Sequence, residues 1–234
     1  MINKEVIKQR MGLLLQLLPH VYEQASLALK GGTAINAVLR DLPRLSVDID
    51  LAYVNLSRRK QALEDIICCL QNIREKAGLQ MIDATFFDLG SKGKMLVRQY
   101  GVDVRIEVNQ VMRGTVFAPR QAYIHDAAAA AFSQNVYPVK ILDPDEIYAG
   151  KLVAMLARRH PRDLFDVYHL LADQGIHERM LDAFIVYLSA NKRPMHKLLD
   201  SENSMTVNQS AYESILEMMT AKPVSRQYHA RNLS

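Results

Sequence analysis

Only two of the 234 residues are cysteine, and they are neighbours, Cys68 and Cys69, in a helix-like run. Adjacent side chains on a helix leave in different directions, so no disulfide framework is expected. Long apolar runs are also missing. The N-terminal stretch MINKEVIKQRMGLLLQLLPHVYEQ is interrupted by charge and carries no small-residue cleavage site. It falls well short of the roughly 18 apolar residues that a span requires, so no membrane segment is expected and the cytoplasm is the expected location. The seven histidines are scattered, with no pair at metal-ligand spacing, and His169 reads as surface or core filler. No Ser-His or Cys-His constellation is legible, and no internal repeat is visible.

What is present is an ordinary globular composition, 49% hydrophobic and 23% charged, with enough chain to bury a core in one or two domains. A net charge of +4 and a pI near 9.0 permit phosphate binding without requiring it. Basic residues gather at Arg40 and Arg44, Arg58 to Lys60, Lys92 to Arg98, and Arg158 to Arg162, although solvated helix faces give such clusters too.

Apolar positions at helical spacing (Val6, Met11, Leu14, Leu15, Leu18) predict an amphipathic helix over 3–25. ASLALKGG reads as a short strand stopped by glycine. TAINAVLRDL (33–42) reads as a helix with cap character at Gly32 and Thr33, ended by Pro43. SVDIDLAYV (46–54) alternates as a strand, with Val47, Ile49 and Leu51 on one face and Ser46, Asp48 and Asp50 on the other. A helix over 57–77, started by Ser57, precedes three strands, LQMIDATFFDL, KMLVRQY and VDVRIEVNQ, whose glycine-bearing turns predict antiparallel hairpins.

Between 110 and 135 the pattern is weak, and the alanines at 127–131 read as a helix or a compact linker. From 143 onward only helices are expected. DPDEIYAGKLVAML opens with Asp143 as cap, Pro144 in the first turn and Glu146 in a capping-box position. HPRDLFDVYHLLADQG is terminated by Gly175, and two or three weaker helices follow, with Tyr and Met residues at 212–219 assigned to the core. The predicted layout is an α/β domain over 1–140 and a helical domain over 141–234.

Residues two apart on a strand share a face, so the carboxylates of Asp48 and Asp50 leave the same side from Cα atoms about 6.6 Å apart, from the ~3.3 Å rise. Hard oxygen ligands of this kind favour Mg²⁺ or Mn²⁺, which keep waters and bind substrate phosphates as well. D-x-D is short and arises on many solvated strands. Its neighbours add weight: Gly31 and Gly32, between a strand and a helix, offer backbone N–H groups and a helix dipole to a phosphate, and Thr33 adds a hydroxyl.

Lys30-Gly31-Gly32-Thr33-Ala34, Leu42-Pro43-Arg44 and Ser46-Val47-Asp48-Ile49-Asp50-Leu51 together resemble the signature of the AbiEii/MenT-type nucleotidyltransferases, toxins of abortive-infection toxin–antitoxin systems in the DNA polymerase β-like superfamily. Thr33 stands where many members have serine. Lys151 and the later Arg162-Asp163-x-x-Asp166 resemble the family's second block. The resemblance implies a polymerase β-like α/β (α+β) domain with a mixed sheet, followed by a helical domain that brings Lys151 and Asp166 to the site. It implies transfer of an NMP from an NTP, with Mg²⁺ or Mn²⁺ held by Asp48 and Asp50. Lys30, Gly31, Gly32, Thr33 and Arg162 would bind nucleotide, and Lys151 would offset phosphate charge. Arg162 and Asp163 read equally as a structural ion pair. A third carboxylate is expected on the strand with Asp103 and Glu107, where the family pattern favours Glu107 and Asp103 competes. The family further implies the 3′ end of tRNA or another RNA as acceptor, and an antitoxin as partner. Residues 175–234 carry no legible resemblance.

Rival readings are open at this point. HPRDL is similar to a kinase catalytic loop, but Pro161 interrupts it and no G-x-G-x-x-G lies upstream. A metal-dependent nuclease also uses acids on strands, yet the glycine pair before a helix favours a bound triphosphate. Nucleotidylation of a protein or a small molecule is one alternative. A non-catalytic module that binds RNA or a partner is the other.

Overall fold

The computed structural model describes residues 4–88 and 93–200 together with 217, 219 and 220. Helix α1 (Lys4–Tyr22) buries Met11, Leu14, Leu15 and Leu18, the positions its periodicity singles out. Pro19 lies inside it and lacks the N–H that the Leu15 carbonyl would accept. The Tyr137 hydroxyl donates to that oxygen instead, at 2.5 Å.

Strand β1 (Leu27–Lys30) passes directly into α2 (Gly31–Ala34), which continues as a wider π-helical turn, Ile35–Leu39. The helix thus starts two residues before the predicted 33, because Gly31 takes φ +70° and turns the strand at once. Strand β2 (Asp48–Tyr53) buries Ile49 and Leu51 and leaves Asp48 and Asp50 half-exposed on the other face, as its alternation predicts. Helix α3 (Arg59–Gln80) begins without a side-chain cap; the Ser57 hydroxyl lies 3.3 Å from the Tyr53 hydroxyl rather than on the helix end. Strands β3 (Thr85–Asp88), β4 (Lys94–Gln99) and β5 (Val102–Arg113) pair antiparallel in sequence. The expected strand from Leu79 is shorter because α3 runs on through Gln80.

The weak region holds one strand that periodicity does not reveal, and a second follows just beyond it. Strand β6 (Arg120–Tyr123) and, after the short α4 (Asp126–Ala131), β7 (Pro138–Ile141) form an antiparallel pair, and β7 joins β1 in parallel. Helices α5 (Pro144–Arg158), α6 (Pro161–Asp173), α7 (Glu178–Ser189) and α8 (Met195–Leu199) complete the described chain. Asp143 caps α5, accepting from the Asp145 amide at 3.0 Å, and Gly175 at φ +68° closes α6 by donating to Leu170 O. The capping box does not form, for Glu146 turns inward and accepts from the amides of Val116 and Phe117. Of the Tyr and Met residues at 212–219 assigned to the core, Met219 is buried, and Tyr212 and Met218 lie outside the described residues.

The seven strands form one mixed sheet in the order β3-β4-β5-β2-β1-β7-β6, the α/β arrangement expected. Helices α1 and α3 pack against β5, and the main apolar cluster that holds Leu14, Ile49 and Ile106 also takes in Ile147, Leu170 and Met180. A smaller cluster of Val153, Leu188 and Leu198 joins the helices to one another. No described helix is long and apolar enough to cross a membrane.

Candidate active site

Four central strands carry a row of charges set by register. Lys30 on β1 lies beside Asp50 on β2, Asp50 beside Glu107 on β5, and Glu107 beside Lys94 on β4. One step along, Asp48 neighbours Arg105. The Lys94 ammonium bridges Glu107 at 2.7 Å, whereas Asp103 is held by both nitrogens of the Arg98 fork at 2.6 and 2.9 Å. Of the two candidate third acids, Glu107 is therefore the one adjacent to Asp50. Burial and then the charge of Asp50 raise the Asp48 carboxyl above the usual carboxylate range, against the pull of Arg162, Arg105 and Arg10.

The glycine pair and the acids belong together sterically. A Cβ on Gly31 would stand 2.6 Å from an Asp50 carboxylate oxygen, and one on Gly32 would stand 2.8 Å from Arg44 Nη2. Thr33 is buried, with its hydroxyl donating to the Asp48 carbonyl at 2.6 Å and lying 2.8 Å from Ser46 Oγ. Its hydroxyl thus holds β2 against the helix start.

Beneath this turn runs a buried chain of alternating charge. Asp166, 1% exposed, accepts from Arg44 Nε at 2.8 Å and Nη2 at 2.5 Å, from Lys151 at 3.0 Å and from Asn36 Nδ2 at 3.1 Å. Asp163, 0% exposed, receives Lys151 at 2.9 Å and the Arg158 guanidinium at 2.5 and 2.9 Å. Burial pushes both carboxyls up, but the cations outweigh it and hold them below the ordinary range, Asp166 furthest, through Arg44 and Lys151. The alternative reading of Arg162 and Asp163 as an ion pair does not hold among the described residues, where Asp163 pairs with Arg158 and Lys151. Lys151 itself, 6% exposed, is taken by two carboxylates, so in this conformation its charge is already matched by protein.

A cleft of about 490 Å³ opens between the sheet and the helices, a size suited to a nucleotide-sized ligand. Lys30, Gly31, Asp50, Lys151 and Arg158 line it, with Glu146 and Tyr187 across from them and Lys192 and Arg193 also on the lining. Asp48, Glu107 and Arg162 are not part of that lining. Burial lowers the Lys30 pKa, opposed by Asp50 and Glu146, and its ammonium lies 5.9 Å from the centre of the Tyr187 ring. Tyr187 donates to Glu146 at 3.0 Å. Sequence reasoning passed over Glu146 and Tyr187 as site residues; nothing local marks them, because only the packing of α5 on α7 brings them to the cleft. Arg158 stood within a basic cluster already visible, and Asp163 within the motif.

The acid pair suits a hard divalent cation: two half-buried carboxylates share one strand face, and the Asp50 charge raises the cost of ionising Asp48. Among the described residues no third histidine, cysteine or acid gathers with them. Glu107, the register neighbour of Asp50, is paired with Lys94.

A sequence model of the nucleotidyl transferase AbiEii toxin of type IV toxin–antitoxin systems matches residues 12–230. No curated protein matches the chain. In fold it is similar to MenT4, a nucleotidyltransferase toxin of Mycobacterium tuberculosis H37Rv, with a TM-score of 0.65 at 16% identity over 97% of this chain and 86% of that one. A protein of H. pylori assigned to the nucleotidyltransferases covers 90% of each chain at 14% identity, with a TM-score of 0.49, too loose to carry argument. With the family model spanning nearly its whole length, and the glycine turn and strand acids in place, the chain belongs to the AbiEii nucleotidyltransferase toxin family of type IV toxin–antitoxin systems.

Proposed function

We propose that this nucleotidyltransferase toxin moves an NMP from an NTP to the 3′ end of an RNA, with tRNA the foremost candidate, in a reaction that depends on Mg²⁺ or Mn²⁺. It would act in the cytoplasm, where both substrates reside, until its antitoxin restrains it. The carrying observation is Asp50: its carboxylate lines the cleft, shares a strand face with Asp48, and lies against the backbone of Gly31.

In this reading residues 1–140 form the nucleotidyltransferase domain, and the helical domain over 141–234 contributes Lys151 and Asp166. The triphosphate occupies the cleft. The backbone at Gly31 and Gly32 approaches it closely, and Lys30 and Arg158 offset its charge. Lys151 and Asp166 position the floor, Asp166 by fixing Arg44 behind Gly32. Asp48 and Asp50 hold the metal, with Glu107 as a third ligand; when bound, the ion supplies positive charge to the phosphates and to the attacking oxygen. The acceptor hydroxyl bonds to the α-phosphorus and gives its proton to Glu107, while the bond to the β-phosphate breaks and pyrophosphate leaves with the electron pair.

Incubation with total cellular RNA, Mg²⁺ and each α-labelled NTP in turn tests this reading, with EDTA and Asp48→Ala as controls. Label in an RNA band, lost in both controls, is the expected result and identifies the donor base. Label in protein or a small molecule reassigns the acceptor. Retention of RNA without turnover makes the chain a binding module and overturns the proposal.

A further inference from the structure

Three guanidiniums act on the charge of Asp48, none of them on the cleft lining, and the chemistry above uses none of them. Arg105 is its register neighbour on β5 and stands exposed on the same sheet face. Arg162, next to Pro161 at the start of α6, is partly buried among Arg44 and Arg158, charges of its own sign, with Asp48 and Asp163 as its counter-charges. Asp163 is already committed to Lys151 and Arg158. Arg10 on α1 brings its charge near both Asp48 and Asp103, and its Nε is buried with no hydrogen-bond partner. Asp103 is in turn held by Arg98. Among the described residues none of these three arginines is within ion-pair distance of an acid.

A buried or half-buried cation without a partner is costly unless an anion arrives to match it. Arg10 and Arg162 are such groups, and with the exposed Arg105 they set three positive charges against Asp48; none of the four lines the cleft, whereas Asp50 does. Planar guanidinium forks suit phosphate oxygens bidentately, and they fix position without reading sequence.

We infer that Arg10, Arg105 and Arg162 form an acceptor subsite that grips the phosphodiesters of an RNA strand next to its reacting 3′ end. The inference rests on the function proposed above. It divides the site at the two acids: the NTP enters on the Asp50 side and the RNA on the Asp48 side. Arg162, which the family resemblance would place on the nucleotide, belongs to the acceptor. Holding both substrates this way removes the entropy of bringing them together at the moment of reaction.

The test measures filter binding of bulk tRNA, without NTP, to wild type and to Arg10→Gln, Arg105→Gln and Arg162→Gln over a salt series. Each change is expected to weaken binding several-fold and to reduce the slope of log affinity against log salt by roughly 0.7, one single-strand phosphate contact. In the labelling assay the KM for RNA is expected to rise several-fold while the KM for NTP holds. Arg105 is exposed, so Arg105→Gln carries the test even where the other two variants lose their unfolding transition. Wild-type slope and affinity in Arg105→Gln, or a KM for NTP that rises in step with that for RNA, overturns the subsite. Transfer to RNA by wild type with the arginine variants unchanged overturns the subsite alone. Salt-dependent tRNA binding that the variants weaken, with no transfer from any NTP, supports the subsite and overturns the catalytic reading instead. An acidic polypeptide that displaces tRNA at equal charge concentration overturns the assignment to RNA.

Discussion

Asp166→Ala removes the centre of the buried charge chain, and its cost follows from what remains. Arg44, 2% exposed, loses its bidentate partner and among the described residues keeps the Leu45 carbonyl at 3.0 Å. Lys151 retains Asp163 at 2.9 Å. Breaking a buried pair from one side costs about 3–5 kcal/mol, because the surviving charge is left uncompensated. At about 2–4 °C per kcal/mol for a chain of this size, the melting temperature should fall by roughly 6–20 °C. Thermal unfolding followed by far-UV circular dichroism measures it. The double variant Arg44→Met with Asp166→Leu should recover most of the loss, since well-packed apolar groups often replace a buried pair without penalty. The pH dependence has a definite sign. The folded pKa of Asp166 is depressed, so its contribution is present above the unfolded value of about 3.9 and is lost as pH falls through the folded one. The gap between wild type and Asp166→Asn should therefore stay level across neutral pH and begin to close only below that value. A shift for Asp166→Ala under about 2 °C would refute the reasoning.

Other outcomes follow from single contacts. Asp48 has its folded pKa raised, so its ionised form opposes folding as pH climbs from the unfolded value through the folded one. Asp48→Asn should raise the melting temperature at neutral pH while abolishing label transfer; a lower melting temperature would show that its arginine neighbours dominate instead. Gly31→Ala adds a Cβ at φ +70° and 2.6 Å from Asp50, so transfer should drop sharply, and stability should fall by about 1–2 kcal/mol in a denaturant titration. Gly12→Ala is its control: its Cβ meets only Phe132 at 3.7 Å inside α1, and it should stabilise by up to about 1 kcal/mol. Thr33→Val deprives the Asp48 carbonyl of its donor at 2.6 Å and should cost about 1–3 kcal/mol, with Thr33→Ser close to wild type. Equal melting of the valine and serine variants would contradict that hydroxyl's role.

What could be read along the chain was what repeats locally. Alternation placed Ile49 and Leu51 inside and Asp48 and Asp50 outside, and helical spacing found the buried side of α1, because each pattern reflects one surface meeting one core. The motif residues were legible for the same reason: a glycine that must pass under an acid leaves its mark two short elements away. Strands β6 and β7 were not legible, being four residues each, with β6 largely exposed and β7 too short for its single alternation of Val139 and Ile141 to stand out. The roles of single side chains were also out of reach. Glu146 in a capping-box spacing went to the Val116 and Phe117 amides, and the Thr33 hydroxyl went to Asp48 O. Lys151 went to two aspartates, Asp163 and Asp166, 12 residues on and beyond. Sequence spacing fixes which residues share a face, and so by itself it determined the fold class, the acid pair and the glycine turn. Only tertiary packing decides which buried charge finds which partner, because burial makes an unmatched polar group costly and the assembled elements set which complements lie within reach. That is why the division of the cations, some matched inside the protein and three left beside Asp48, appeared only with the folded chain.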